Sequence, residues 1–381
     1  MNIKPLVLRM LTGVSTTWMA FIVVLSCLLY LVNYLGYFDR LGELDFSTFS
    51  YPLDIDTSRQ VELILSGQPP ERLPIADYGW YPLVRDLRHS LCRPQQAVVP
   101  ADNTSFDIPS PSAFPYLLLM IKSAVKNFAN RESIRQTWGL NGTLRLDNGQ
   151  SYTIQRVFLT GQESSLTSVD ASAQHQLSEE ASKHDDMVQY QFLDSYYNNT
   201  LKLILELRWV VERCSAARFV LFLDDDYFVD LPRLLTYYLK NVSSKQALDS
   251  LYAGHRLDVS PIRKRSSKWR LSLADYPYNR FPPYINSGAF LMSQRSVQRF
   301  YQASKFVVLM PFDDVYMGIL AYKLGVNPQD LPEFRYLWFE TAQDVLSLTE
   351  PFMAAHGFRD PSDMLAAYRK FYPNRLTLTK A

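Results

Sequence analysis

Arg218-Phe-Val-Leu-Phe-Leu-Asp-Asp-Asp226 runs an unbroken apolar stretch into three carboxylates. An apolar run of that length reads as a buried strand, so the acids emerge together at its carboxyl end. Carboxylates crowded into one site repel each other and resist ionisation unless a cation or hydrogen-bond donors offset the charge. Hard oxygen ligands suit Mg²⁺ or Mn²⁺ better than Zn²⁺, and such ions commonly bridge a protein carboxylate to diphosphate oxygens. The stretch therefore predicts a nucleoside diphosphate ligand. Three acids between two helices would read instead as a solvated turn; the strand in front of them argues against that.

Upstream, apolar runs alternate with helix-like segments. Tyr116-Leu-Leu-Leu-Met-Ile-Lys122, Thr153-Ile-Gln-Arg-Val-Phe-Leu159 and Met187-Val-Gln-Tyr-Gln-Phe192 read as strands, and 131–138, 177–184 and 198–214 as helices between them. The alternation predicts an α/β fold, in which ligands gather at the carboxyl ends of the strands. The acidic triplet stands at such an end.

Length and composition suit a globular protein with a large core: 381 residues, 47% hydrophobic and 14% aromatic. Lys+Arg of 39 against Asp+Glu of 38 leaves +1, which gives no electrostatic case for nucleic acid. Met10 to Phe38 carries no charged residue, with Lys4 and Arg9 before it and Asp39, Arg40, Glu43 and Asp45 after it. About 20 apolar residues span a bilayer as a helix, and the positive flank puts the N-terminus in the cytoplasm. A cleaved signal peptide would have a shorter apolar region and a small-residue cleavage site, so an uncleaved signal-anchor is expected. Ten of the 22 prolines fall between Pro52 and Pro115, which reads as an extended stem, with pieces such as Val61-Glu-Leu-Ile-Leu65 able to pack locally or onto the following domain. The expected organisation is a cytoplasmic tail over 1–9, a transmembrane segment over 10–38, a luminal stem over 39–112 and a catalytic domain over 113–381. Sequons at Asn103, Asn141, Asn198 and Asn241 agree with a luminal chain. Cys27 lies within the apolar span, leaving Cys92 and Cys214 as the one luminal pair, whose spacing does not decide whether they are bonded.

Arg131-Glu-Ser-Ile-Arg-Gln-Thr-Trp-Gly139, Phe158-Leu-Thr-Gly161 and Asp194-Ser-Tyr-Tyr-Asn-Asn-Thr-Leu-Lys202 precede Asp224-Asp-Asp226. Lys268-Trp269, Pro283-Tyr-Ile-Asn-Ser-Gly288 and Asp313-Asp-Val-Tyr-Met-Gly318 follow it. This ordered set resembles the Golgi β-1,3-glycosyltransferase family of β-1,3-galactosyltransferases and β-1,3-N-acetylglucosaminyltransferases. Leu251-Tyr-Ala-Gly-His-Arg256, 281–290 and 311–319 are most similar to its Brainiac branch, invertebrate glycosphingolipid N-acetylglucosaminyltransferases. The resemblance implies a GT-A type nucleotide-sugar transferase fold with a central mixed, mostly parallel sheet, preceded by a single transmembrane helix. It also implies a UDP-sugar donor, Mn²⁺, a glycan acceptor on glycolipid or glycoprotein, inversion at the anomeric carbon and Golgi residence, with a homodimer left open. Two positions depart from the family pattern. Asn199 stands where leucine is usual and Asp313 where glutamate is usual, the second keeping its charge.

By that resemblance Asp226 ligates the metal, Asp224 meets the ribose or a metal-bound water, and Asp225 helps to hold the turn. Asp314 is the expected general base, because inversion needs a carboxylate that takes the acceptor proton opposite the departing UDP. Asp313 reads as the cap of the helix that follows. His356 matches a C-terminal histidine that completes the metal shell, with His255 as its rival. Arg131, Arg135 and Trp138 match the block that shapes the nucleotide pocket, and Lys202 suits diphosphate or acceptor. Arg131 and Arg135 would also suit a solvated helix face, and Lys202 a surface position on its helix. Lys268, Trp269, Tyr284 and Gly288 suit an acceptor rim, with core packing the rival reading for Trp269 and Tyr284. The run Arg263-Lys-Arg265 reads as a solvated loop rather than a lipid contact. The reaction expected is transfer of N-acetylglucosamine to a terminal mannose of a glycosphingolipid. Galactose transfer is the alternative, and a non-catalytic glycan-binding protein the alternative of another class.

Overall fold

Strand β2 (Leu117–Lys122) is buried along its whole length because parallel neighbours flank it on both sides. It follows β1 (Leu83–Arg85) and is succeeded by β3 (Gly142–Arg145), β4 (Ser151–Gln162), β5 (Met187–Leu193), β6 (Phe219–Asp224), β7 (Tyr227–Val229), β8 (Tyr252–Leu257), β9 (Tyr284–Ser293), β10 (Gln329–Asp330), β11 (Phe334–Arg335) and β12 (Ala354–His356). The computed structural model describes residues 16–51, 55–88, 92, 116–146, 148–163, 168–336, 341–347 and 351–373. These fall into two compact units, one of Met1–Tyr51 and Val259–Phe281, the other of Pro52–Asp258 and Pro282–Ala381.

In the larger unit a nine-stranded sheet runs β1-β5-β4-β2-β6-β9-β8-β10, with β3 on β4. The centre, β5-β4-β2-β6, is parallel, whereas β1, β3 and β9 pair antiparallel with their neighbours. The sheet is thus parallel at its heart and mixed at its flanks, less parallel than expected. The chain builds outward from β2 through β4 to β5 and then returns to lay β6 on the other side of β2. That reversal makes the carboxyl ends of β2 and β6 a topological switch point, where an open α/β sheet leaves a crevice for ligand. A second sheet, β11-β12-β7, joins the C-terminal region to the turn that follows the acids.

Helices α1 (Thr16–Tyr34) and α2 (Tyr37–Leu41) belong to the smaller unit. The larger one holds α3 (Thr57–Leu65), α4 (Phe128–Gln136), α5 (Ser168–His184), α6 (Asn199–Arg213), α7 (Lys245–Ser250), α8 (Gln294–Ser304), α9 (Asp313–Lys323), α10 (Ala342–Ser347) and α11 (Pro361–Phe371). Local chemistry sets several starts: Asp56 caps α3, Ser293 caps α8, and Asp360 caps α11 with proline at its first turn. The core threads Leu119, Ile121, Phe219, Leu221, Leu223 and Phe228.

The segment 55–88 corrects the expectation of an extended stem. Helix α3 buries Thr57, Gln60 and Val61, the Ile75 amide donates to the Lys305 carbonyl at 2.8 Å, and β1 adds an edge strand to β5. Trp209 donates its indole N–H to Asp86 at 3.0 Å. Prolines interrupt the periodicity without preventing the apolar side chains from docking. Cys92 is bonded to Cys214, the residue at which α6 ends.

In the smaller unit Arg263 is fully buried, which corrects the reading of a solvated loop for that residue, while Lys264 and Arg265 beside it are exposed. Its guanidinium donates to Glu43 at 2.8 Å and to the carbonyls of Leu271, Ser272, Tyr276 and Tyr278. The acid that makes this burial tolerable lies 220 positions away. Helix α1 exposes its apolar side chains, Trp18, Phe21, Ile22, Val23 and Tyr30 among them. Among the described residues no helix is long and apolar enough to cross a membrane. Residues 1–15, where the uncharged run begins, lie outside the described ones, as does Asn103.

Candidate active site

Asp224 ends β6 directly opposite Lys122, which ends β2. The buried Lys122 ammonium lies 3.2 Å from Asp224 Oδ1 and 2.8 Å from Asp313 Oδ2. Burial alone would lower its pKa, but the charges of Asp224 and Asp313 outweigh that and hold it well above the usual lysine range. One cation thus ties the acidic turn after β6 to the first turn of α9. Asp313 is not the helix cap expected of it. The N-cap is Phe312, without a side-chain bond, and Asp313 takes Lys122 and the Ser287 hydroxyl at 3.0 Å. Those partners overcome burial and keep its carboxyl below the ordinary value.

Asp314, the next residue, is half-buried, and its carboxylate accepts the Val315 amide at 2.7 Å. Burial, then the charge of Asp313, pushes it up to about 7. A carboxylate with that pKa is suited to take a proton near neutral pH. Asp224 is pushed the same way, by burial against the pull of Lys122, while its side chain keeps 41% exposure that tempers the effect.

Asp225 turns inward, accepting Ser123 Oγ at 2.6 Å and Asn127 Nδ2 at 2.9 Å. Burial raises its pKa while those donors oppose the rise. Asp226 turns the other way, toward β12. There His356, in register with Tyr227, brings Nε2 within 3.1 Å of Asp226 Oδ2. Burial would lower the pKa of His356, but the bond to Asp226 raises it. Asp226 Oδ1 and His356 Nδ1 are buried and find no hydrogen-bond partner among the described residues. An orphaned carboxylate oxygen beside an imidazole fits a divalent cation. Among the described residues no cluster of three or more His, Cys, Asp or Glu is arranged to hold a metal. Asp226 and His356 are thus the residues that could hold one, as a sparse protein share of its shell.

Other sequence expectations are redirected. Arg131 is fully buried and spends its donors on Glu180, Ser123 Oγ and the carbonyls of Ala124 and Val125. Arg135 bonds Glu180 and Asp186, and Trp138 donates to Met364 Sδ at 3.1 Å inside the core. Arg131 thus braces the loop after β2, Arg135 ties α4 to α5 and to the residue before β5, and Trp138 packs toward α11. Lys202 gives its ammonium to Ser123 O and both oxygens of Asp194, so no donor remains for a ligand. Gly288 is required by the Tyr227 ring, whose hydroxyl a β-carbon there would meet at 2.5 Å. Tyr284 is buried, with its Cβ against Gly318. His255 stacks on Tyr336, ring centroids 4.2 Å apart, whereas His356 meets Asp226. Lys268 and Trp269 belong to the smaller unit. Asn141 and Asn241 are exposed, while the Asn198 amide donates to Leu193 O and Thr200 of its sequon is buried.

Sequence reasoning missed Lys122, Ser123 and Asn127. The available signal was a lone cation closing the run Leu117-Leu-Leu-Met-Ile121, the kind of residue that elsewhere marks only a strand end. It also missed Glu206 on α6, fully buried with both carboxyl oxygens unpartnered, which burial keeps well above the carboxylate range.

The Galactosyltransferase family model matches residues 129–332. Beta-1,3-galactosyltransferase brn of Drosophila melanogaster is 35% identical over 90% of this chain and 93% of its own length. Lactosylceramide 1,3-N-acetyl-beta-D-glucosaminyltransferase A of Danio rerio is 31% identical over 74% of this chain and 68% of its own. N-acetyllactosaminide beta-1,3-N-acetylglucosaminyltransferase 2 of Mus musculus is 36% identical over 58% of this chain and 54% of its own. The chain belongs to the Galactosyltransferase family, among its β-1,3-glycosyltransferases, and is a hexosyltransferase.

Proposed function

We propose that the chain is an inverting, Mn²⁺-dependent β-1,3-glycosyltransferase on a GT-A type fold, with its site at the β2/β6 switch point. The observation that carries this is the Lys122 bridge, which brings Asp224 and the Asp313-Asp314 pair to one place. Asp314 takes the proton from the acceptor 3-hydroxyl as its oxygen attacks the anomeric carbon. The bond from that carbon to UDP breaks with its electrons going to the diphosphate, on the opposite face. A Mn²⁺ held by Asp226 and His356 would supply Lewis-acid stabilisation of the charge gathering there. Lys122 keeps Asp313 in place and so fixes the first turn of α9 from which Asp314 projects. Asp225, bound to Ser123 and Asn127, holds the turn that presents Asp224 and Asp226.

The donor sugar is read as N-acetylglucosamine and the acceptor as a terminal sugar, mannose, of a glycosphingolipid. The zebrafish relative's name, with its lactosylceramide acceptor, supports a lipid-linked substrate. The fly relative's name favours the second reading, galactose transfer. Product analysis with UDP-N-acetylglucosamine and UDP-galactose side by side on mannoside and galactoside acceptors separates them. Exclusive galactose transfer overturns the first reading, and no transfer from either donor overturns the reaction.

The chain is also read as a type II Golgi protein anchored by its N-terminal segment. The uncharged run from Met10 to Phe38 supports this, being longer than the roughly 20 apolar residues that span a bilayer as a helix. Resistance of the full chain to alkaline extraction from membranes is the expected outcome, and release into the supernatant refutes the anchor.

A further inference from the structure

The segment Val259–Phe281 is held against the C-terminal end of α1 within the smaller unit. The Arg265 amide donates to Tyr34 O at 3.0 Å and its guanidinium to Asn33 Oδ1 at 3.0 Å. Arg270 reaches Asp39 at 3.2 Å. A β-carbon on Gly36, whose φ is +81°, would lie 2.6 Å from the Arg263 backbone, so the chain leaving α1 is pressed onto this segment. Between Val259 and Leu273 stand Arg263, Lys264, Arg265, Lys268 and Arg270, and no acid. Arg263 is spent internally, whereas Lys264, Arg265 and Lys268 are exposed together with Ile262 and Trp269. Tyr30, Tyr37 and Phe38 are exposed around the same end of the helix.

We propose that residues 262–270 form a membrane-surface contact that seats cations and an indole in an anionic headgroup layer at the end of α1. The inference rests on the anchoring reading given above. An apolar helix ending in Tyr and Phe, with a basic, Trp-bearing loop fixed to its last turn, has the order that a bilayer imposes: acyl chains, aromatic belt, charged headgroups. Charge complementarity chooses an anionic surface, which on the luminal side of the anchor means acidic lipid headgroups, with phosphatidylserine as the probe for them. The bonds to Asn33, Tyr34 and Asp39 set the height of the loop relative to the helix. The contact would fix how the smaller unit meets the membrane that carries a lipid-linked acceptor.

The test uses the full chain in nanodiscs of phosphatidylcholine, alone or with about 25% phosphatidylserine. Cys27 is a free, exposed cysteine on α1, so a fluorophore there reports insertion of the helix. A second protein, Cys27→Ser with Ser266→Cys, carries the fluorophore on the loop. The expected result is quenching of the Cys27 label by acyl-chain nitroxides and of the Ser266→Cys label by headgroup nitroxides. The loop label should be several-fold less accessible to iodide with phosphatidylserine present, and Lys264→Glu should remove that difference. A loop label equally open to iodide in both nanodiscs, with Cys27 inserted, overturns the surface contact alone. Protection by a soluble glycan but not by lipid overturns it in favour of a sugar subsite. A water-exposed Cys27 label overturns the anchor and the contact together.

Discussion

In the proposed reaction, turnover depends on Asp314 as the base. Asp314→Asn should lower kcat by at least about a hundred-fold while UDP affinity, measured by calorimetry, stays within a few-fold. Since the ionised form is the working base, kcat/KM of the native enzyme should rise with pH and level off above about 7. The same carboxyl has a signature in stability. Its pKa moves from 3.8 to about 7 on folding, so between those values the folded chain binds more protons than the unfolded one. Stability from this group therefore falls as pH rises through that window. Asp314→Asn should melt above the native protein at pH 8, with the difference gone near pH 4. Lys122 poses the opposite problem, because its removal strands two acids. Lys122→Met should cost about 3–5 kcal/mol in a urea melt, and adding Asp313→Asn should recover part of it.

At the level of elements, the disulfide and the buried Arg263 tie together segments far apart in the chain. Cys92 and Cys214 are 122 positions apart, so Cys92→Ser with Cys214→Ser should lower stability by about 2–5 kcal/mol, read as a drop in the denaturation midpoint. Glu43→Gln weakens the charge beside Arg263, and limited proteolysis should then cut within 259–281 faster than in the native chain. These elements also mark what the sequence discloses. The strands around β2 and β6 were legible because each is a continuous apolar run, and α6 because its length and period are helical. The stem at 55–88 was not, since prolines hide the small apolar face of α3 and nothing local announces that β1 pairs with β5. The partner of Lys202, Asp194, stands eight positions before it in the same block, whereas Arg131 and Arg135 looked like ligand-binding cations because their acid partners, Glu180 and Asp186, come from separate segments. Lys122 was overlooked for the same reason in reverse, its partners lying on β6 and α9. Pairings of side chains across the fold are set by topology, and a linear motif displays only one partner.

Across the whole molecule, the nine-stranded sheet supplies the switch point and the second, small sheet supplies His356. That imidazole reaches Asp226 only because β12 lies antiparallel against β7, joining residues 130 positions apart. A ribosome must therefore translate 130 further codons after Asp226 before both members of that pair exist in one polypeptide. A reading-frame break between codons 331 and 355 would release a chain with every strand of its great sheet present and its carboxylate still waiting.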